Sequence, residues 1–311
     1  MKAEQLRINP ARLLAALDEL AAIGRTEDGS CCRLALTDED KAGRDLVVKR
    51  MRELGLEVRI DPIGNIFGRR AGSEDIAPVM TGSHIDTVRT GGRFDGCLGV
   101  LGGLEVVRTL NDAGVATRRP LVVAVFTDEE GARFHPDMAG SLAYVGGLPL
   151  AELYDTRGID GKRFEDELRR IGYLGDAPVP LYRPHAYVEL HIEQGGTLER
   201  EGIEIGIVEG IVGIGWWDVT VEGLANHAGT TPMNDRRDAL LAAARFVEAV
   251  NRVAKSEPGR HVATVGRIQA FPGAPNVIPG RVQASLEIRD LDSAKIARLF
   301  ERVRQEADSI A

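Results

Sequence analysis

The feature that most constrains the fold is an uninterrupted apolar run, LVVAVF, at residues 121–126. A strand that is apolar at every position is typical of a sheet covered on both faces. We predict the same for Ala186 to Leu190. In the first 200 residues such runs alternate with amphipathic segments, the first bounded by Asn9-Pro10 and Gly24 as helix start and stop signals. This alternation predicts an α/β domain in which a mixed, mostly parallel sheet is flanked by helices.

The pattern of apolar residues changes after about residue 207. A half-exposed strand, a long amphipathic helix, two strands and a second helix follow, at 215–222, 235–254, 261–270, 281–290 and from Ser293 onward. This β-α-β-β-α order resembles a ferredoxin-like unit without its last strand. We therefore expect two domains, residues 1–210 and 211–311, of which the second is a smaller, incomplete α+β domain.

Composition excludes several classes of partner. The net charge is −8, and no basic patch with interleaved aromatic residues is present, so we expect no nucleic-acid partner. No apolar run is long enough to span a bilayer, and the polar start at residues 1–9 lacks the apolar core of a signal peptide. Three cysteines, two of them adjacent, make no disulfide framework. These observations predict a cytoplasmic protein.

Three predicted strands end abruptly in side chains that bind metals. His84 ends the first, Glu130 follows the second, and His191 follows the third, while Asp95 lies in a Gly-rich turn between the first two. Open α/β sheets place ligands at the carboxyl ends of their strands. Imidazole with carboxylate suits zinc, and also manganese or cobalt. A single histidine after a strand usually has no such role, but three similar strand ends together predict a metal centre.

The tandem Glu129-Glu130 adds a chemical function to this pattern. One carboxylate can bind a metal ion, and its neighbour can take the proton of a water molecule as a general base. Two ions sharing a bridging carboxylate can hold a water molecule and a substrate carbonyl together. The alternative is a solvated acidic loop, which is the common fate of such a pair. Together with the three predicted strand ends, the Glu129-Glu130 pair indicates a hydrolase.

Seven motifs occur in order over about residues 10–310: GSHIDTV, FDGCLGV, TDEEGARF, ELHIEQG, ANHAGTTPM, PNVIPG and EIRD. They resemble the amidase/hydantoinase–carbamoylase group of the dinuclear zinc aminoacylase and carboxypeptidase family. The resemblance implies hydrolysis of the linear C–N bond of N-carbamoyl-L-amino acids, giving amino acid, carbon dioxide and ammonia. Allantoate amidohydrolase and β-ureidopropionase are alternatives within the group. The sequence HIEQG at the end of the third predicted strand disfavours a dipeptidase or an N-acyl amino acid deacylase.

The resemblance implies two divalent metal ions, zinc first, with manganese, cobalt or nickel as alternatives. His84 and His191 would bind one ion, Asp95 would bridge both, and Glu130 would bind the second. Asp86 would orient His84 by contacting the ring nitrogen that does not bind the metal ion. The other histidines outside the motifs are expected to be structural.

The same resemblance implies the catalytic and substrate-binding residues. Glu129 would be the general base, and His227 would stabilise the oxyanion. Arg289 and Asn276, with Gln194, would hold the carboxylate of a small ureido or amide substrate. Arginine suits this role because its guanidinium binds a carboxylate through two hydrogen bonds.

In this group the smaller domain is a lid that also forms the homodimer contact. Members continue well beyond the length of this chain, with a stretch that completes the smaller sheet and supplies a last histidine to the second ion. We therefore expect a C-terminally truncated chain, and an inactive metal- or ureide-binding homologue is an alternative of another class. Trp216 and Trp217 are expected to pack inside the lid rather than shape a substrate pocket.

Overall fold

The computed structural model describes residues 5–311, so the expectation about a leader segment falls partly on residues 1–4, outside the described part. The chain divides into two compact units, with the boundary between Gly202 and Ile203. Among the helices of the described residues, none is both long and apolar enough for a membrane span.

From residue 5 onward, the first unit contains seven α-helices and one five-stranded sheet. The helices are α1 (Pro10–Ala21), α2 (Asp38–Glu53), α3 (Cys97–Asp112), α4 (Ala139–Tyr144), α5 (Leu150–Asp155), α6 (Phe164–Arg170) and α7 (Thr197–Glu201). The strands are β1 (Glu57–Ile60), β2 (Ile66–Arg70), β3 (Val79–His84), β4 (Leu121–Phe126) and β5 (Ala186–Val188), in the order β1-β2-β4-β3-β5.

The sheet is mixed, as predicted. Strand β3 runs parallel to both β4 and β5, whereas β2 is antiparallel to its neighbours β1 and β4. Parallel and antiparallel neighbours are therefore equally frequent, although four of the five strands point the same way. The short helices α4 to α7 were not foreseen, because segments of five to seven residues are too short to show a helical period.

Burial in the sheet follows the prediction at β4 but not at β5. Val122, Val123, Ala124 and Val125 are fully buried, as expected of a strand covered on both faces. In contrast, β5 is an exposed edge strand of only three residues, and Val188 is 61% exposed. The prediction that residues 186–190 are buried like β4 is wrong, because an apolar run does not reveal whether a strand lies inside a sheet or at its edge.

A buried ion pair within α2 holds an arginine that contacts other parts of the first unit. The Arg44 guanidinium donates to the Asp40 carboxylate at 2.8 Å, and both side chains are fully buried. The same guanidinium donates to the carbonyl oxygen of Gly64 and to the hydroxyl of Thr127. The oxygen of Asp40 that accepts from Arg44, Oδ2, also accepts from the backbone N–H of Leu36.

We expect Asp40→Ala to lower the free energy of unfolding by about 3–5 kcal/mol, because the buried Arg44 charge loses its partner. The measurement is urea unfolding of the metal-free protein. Glu53→Ala on the same helix is the matched control, since its pair with Lys49 is exposed and 3.8 Å apart, and should cost less than about 1 kcal/mol. Equal losses of unfolding free energy in the two variants would contradict a stabilising role of the buried Asp40–Arg44 pair.

The second unit contains a three-stranded antiparallel sheet with two long helices. Its elements are β6 (Gly213–Glu222), β7 (Asn226–His227), α8 (Ala239–Ser256), β8 (Val262–Phe271), β9 (Val277–Ile278), β10 (Arg281–Asp290) and α9 (Ser293–Ile310). The main sheet has the order β6-β10-β8, and β7 pairs separately with β9. The helices begin at Asp238 and Asp292, whose carboxylates accept hydrogen bonds from the first turn.

One face of this sheet packs on α8 and α9, and the other face is exposed. Trp217 lies on the packed face and stacks on Phe300, with the ring centroids 4.3 Å apart. Trp216 lies on the opposite face, is 63% exposed, and donates its indole N–H to Glu287. The packing prediction is therefore right for Trp217 and wrong for Trp216, because adjacent residues of a strand face opposite sides.

Candidate metal centre

His84 is the last residue of β3, and its ring is held in one orientation. The Nδ1 atom lies 2.9 Å from the carbonyl oxygen of Asp86. A carbonyl oxygen only accepts, so we assign the ring proton to Nδ1, which leaves the lone pair of Nε2 for a metal ion. The Asp86 carboxylate lies 3.9 Å from the same nitrogen. Contacts of this kind behind a histidine are those that orient metal ligands.

His191, three residues after β5, has the same arrangement. Its Nδ1 atom lies 2.8 Å from the carbonyl oxygen of Ile192. Its Nε2 atom lies 3.3 Å from a carboxylate oxygen of Asp95. The rings of His84 and His191 are stacked, with centroids 6.1 Å apart. Both histidines therefore present an unprotonated Nε2 to one region.

Asp95 completes a group of three possible ligands. One ligand atom from each of His84, Asp95 and His191 lies within 4.8 Å of the other two. Two ligands about 2.1 Å from a shared tetrahedral ion are about 3.4 Å apart, which matches the separation of His191 and Asp95. The group therefore needs only a small contraction to bind an ion.

Gln194 contacts this group directly. Its side-chain amide donates to both carboxylate oxygens of Asp95, at 2.8 Å each. The sequence predicted Gln194 as a helper in binding the substrate carboxylate. In the structure its amide instead contacts both oxygens of a predicted metal ligand.

Glu129 and Glu130 lie beside the group without belonging to it. Glu129 Oε2 is 3.4 Å from His84 Nε2. The backbone N–H of Glu130 donates to the Asp86 carboxylate. Within the described residues, the buried Oε1 atom of Glu130 has no hydrogen-bond partner. Such an orphaned carboxylate oxygen is what a site built for a cation leaves behind when no cation is bound.

The electrostatics of the site also favour a divalent cation. Burial raises the pKa of Glu130 to about 7 and raises the pKa of Glu129, although His84 opposes both shifts. Burial alone would lower the pKa of His84, but the carboxylates of Asp86 and Glu129 outweigh it and raise that pKa. The crowded carboxylates thus disfavour one another's negative charge, which a divalent ion would balance, so the donor set fits a divalent metal.

Three other predicted catalytic and substrate-binding residues, His227, Asn276 and Arg289, lie in the second unit. His227 pairs with Val277 in the small β7–β9 sheet, and the backbone of Ala228 donates to the carbonyl oxygen of Asn276. His227 and Asn276 are therefore neighbours. Arg289 lies on β10 of the larger sheet, where its Nε donates to Glu287 at 2.5 Å.

Sequence reasoning missed one carboxylate that joins two of the strand ends. Glu189 accepts hydrogen bonds from Ser83 on β3, at 2.5 Å, and from Tyr187 on β5, at 2.8 Å. It ties the ends of the strands that precede His84 and His191. The available signal was a charged residue inside an apolar strand, two positions before a predicted ligand.

We expect Gly96→Ala to weaken metal binding. Gly96 follows Asp95 with a φ of +63°, and a Cβ atom there would lie 2.4 Å from the His84 ring. Gly114→Ala is a matched control, because Gly114 has a φ of +62° and no atom within 4 Å of such a Cβ. Both variants place an alanine at a positive φ, but only Gly96→Ala adds a clash with the His84 ring. Metal content after dialysis should fall only in Gly96→Ala. Equal metal content in the two variants would contradict the expected clash with the His84 ring.

Named proteins and solved structures are similar to this chain over most of its length. N-carbamoyl-L-amino-acid amidohydrolase of Rhizobium meliloti is 45% identical over 99% of this chain and 74% of its own length. Allantoate amidohydrolase of Bacillus subtilis is 38% identical over 88% of this chain and 67% of its own length. A hydantoinase/carbamoylase family amidase from Burkholderia multivorans superposes with a TM-score of 0.89, at 48% identity, over 98% of this chain and 75% of that one.

The relatives found by sequence are named amidohydrolases, so the enzyme class predicted from the motifs is confirmed. The family model that matches residues 80–280 covers the strand ends at β3, β4 and β5 together with most of the second unit. The chain therefore belongs to the peptidase family M20/M25/M40.

Proposed function

We propose that this protein is a metal-dependent amidohydrolase that cleaves the ureido C–N bond of N-carbamoyl-L-amino acids. The observation that carries the proposal is the group of His84, Asp95 and His191, with the carboxylate of Glu129 only 3.4 Å from His84. The names of the relatives support the choice of substrate.

In this proposal, the ligands of two divalent ions are His84, His191, Asp95 and Glu130, with Asp95 shared between the ions. The ions would supply Lewis-acid polarisation of the carbonyl and acidification of the attacking water. Zinc suits the mixture of imidazole and carboxylate, and manganese, cobalt and nickel are alternatives.

The chain's own residues would move protons and hold the substrate. Glu129 takes a proton from the attacking water, and the water oxygen bonds to the ureido carbon. His227 donates to the carbonyl oxygen as negative charge develops there. Arg289, Asn276 and Gln194 hold the substrate carboxylate, so Gln194 would have to leave Asp95. Glu129 then delivers its proton to the amino acid nitrogen as the bond from that nitrogen to the ureido carbon breaks. The amino acid leaves, and the remaining carbamate breaks down to carbon dioxide and ammonia.

The test is ammonia release by the chain after removal of metal and reconstitution with zinc, manganese or cobalt. We expect no turnover of N-carbamoyl-L-amino acids without metal and recovery on adding about two equivalents. N-carbamoyl-β-alanine and allantoate are assayed in parallel, because an allantoate amidohydrolase is the second candidate supported by a relative. Two bound equivalents with no turnover on any of these compounds would reject the proposal and favour a metal- or ureide-binding homologue.

We further propose that the second unit acts as a lid and forms a homodimer contact. Its support is the exposed face of the sheet that carries Trp216 and Arg289, which leaves apolar and charged side chains without a packing layer. Light scattering of the purified chain measures the oligomeric state. A monomer at all concentrations would reject the dimer and leave the catalytic proposal to be judged by turnover.

A further inference from the structure

We propose that Arg33 is a positioning residue that fixes His84 and Asp95 relative to each other in the metal centre. This inference rests on the metal centre of the proposed function and on no other part of that function. Arg33 lies between α1 and α2, far from the predicted ligands in sequence, and no motif singles it out.

The side chain of Arg33 is fully buried and makes five contacts. Nε donates to the carbonyl oxygen of Ile85 at 2.7 Å, and Nη1 donates to the carbonyl oxygens of Leu20 and Ile23. The thiol sulfurs of Cys31 and Cys97 lie 3.2 Å from Nη1 and Nη2. In residues 5–311 no carboxylate pairs with this guanidinium.

The first group of Arg33 contacts is with the segment that follows His84. Ile85, which accepts from Nε, is the next residue after His84. The backbone of Arg33 also accepts from the N–H of Thr87 and donates to the Thr87 hydroxyl. Arg33 thus holds both ends of the segment 85–87, whose middle residue, Asp86, supplies the carbonyl that fixes the His84 ring.

The second group of Arg33 contacts is with the segment that follows Asp95. Cys97, whose sulfur contacts Nη2, is the first residue of α3. Its backbone N–H donates to the carbonyl oxygen of Asp95 at 2.6 Å. One planar guanidinium therefore contacts the segment that orients a histidine ligand and the segment that presents a carboxylate ligand. Arginine can do this because its donors are fixed in a single plane.

Burying a charge without an ion-pair partner is costly, and the structure makes specific room for it. Gly43 on α2 packs against Arg33, and a Cβ atom there would lie 2.9 Å from Arg33 Cδ. A purely apolar core residue would fill this space without the desolvation cost. The geometry therefore points to a requirement for the hydrogen-bond donors of the guanidinium, beyond the filling of space.

The test compares Arg33→Met with Arg44→Met by measuring Co²⁺ affinity, through competition with a chelating dye, and urea unfolding. Both arginines are fully buried, but the contacts of Arg44 go to Asp40, Gly64 and Thr127. We expect Arg33→Met to weaken Co²⁺ binding by about 10–100-fold, as loss of a contact behind the ligands does. Arg44→Met should lose stability but keep wild-type affinity.

Arg33→Lys keeps the charge but cannot reach Ile85 and Cys97 together, so it should fold and bind Co²⁺ more weakly than wild type. This variant decides the question if Arg33→Met does not fold. Wild-type affinity in an Arg33 variant, or an equal loss in Arg44→Met, would overturn the positioning role. If the unaltered chain binds no Co²⁺, the metal centre and the proposed function fail together, which is a different result.

Discussion

Replacing Glu129 by Gln is expected to lower kcat for ureido hydrolysis by about 10²–10⁴-fold, because the variant loses its general base. The amide keeps the size of the side chain but cannot take a proton from water. Glu129 is outside the group of three ligand atoms, so metal content should stay at the wild-type level. Ammonia release and elemental analysis of the same samples measure the two quantities.

Glu199→Gln is a matched control for this variant, since it makes the same chemical change at an exposed glutamate of α7. It should keep both activity and metal. Near-normal turnover in Glu129→Gln would show that another group takes the proton. Loss of metal together with turnover would instead make Glu129 a ligand, and would move the base to a neighbouring carboxylate.

Asp95→Asn should lower metal affinity by more than about 100-fold, because even contacts behind a ligand are worth 10–100-fold. The substitution removes the charge that balances the cation. It also places an amide opposite the amide of Gln194, which now donates to both oxygens of Asp95. We therefore expect turnover to be lost with the metal. Co²⁺ titration and ammonia release provide the measurement.

Asp112→Asn is the control for Asp95→Asn. Asp112 is the last residue of α3, is exposed, and pairs with Arg12. It should bind metal as the unaltered chain does. If Asp95→Asn keeps its metal but loses activity, Asp95 acts on the substrate or the water rather than on the ion. If it keeps both, the bridging role is wrong.

The sequence was most informative where function depends on local chemistry. An apolar run followed at once by a histidine or a tandem glutamate marks a strand end, and the carboxyl ends of neighbouring parallel strands meet at one edge of a sheet. That reasoning selected His84, Glu130 and His191, and a Gly-rich turn added Asp95. The structure brings His84, Asp95 and His191 together and leaves Glu130 outside the group. The helix start at Asn9 was equally readable, because a cap acts within three residues.

The tertiary structure decided what depends on distant parts of the chain. A local pattern could not show that β5 is an exposed edge, that Gln194 contacts Asp95, or that Trp216 and Trp217 have different surroundings. It also gave no sign that Arg33 reaches Ile85 and Cys97, since those contacts span 52 and 64 residues. The sequence by itself determined the type of fold and the ligand chemistry, because both follow from short-range patterns. Only the folded chain decided which neighbours hold the ligands in place, because burial and hydrogen bonding join segments that no spacing rule connects.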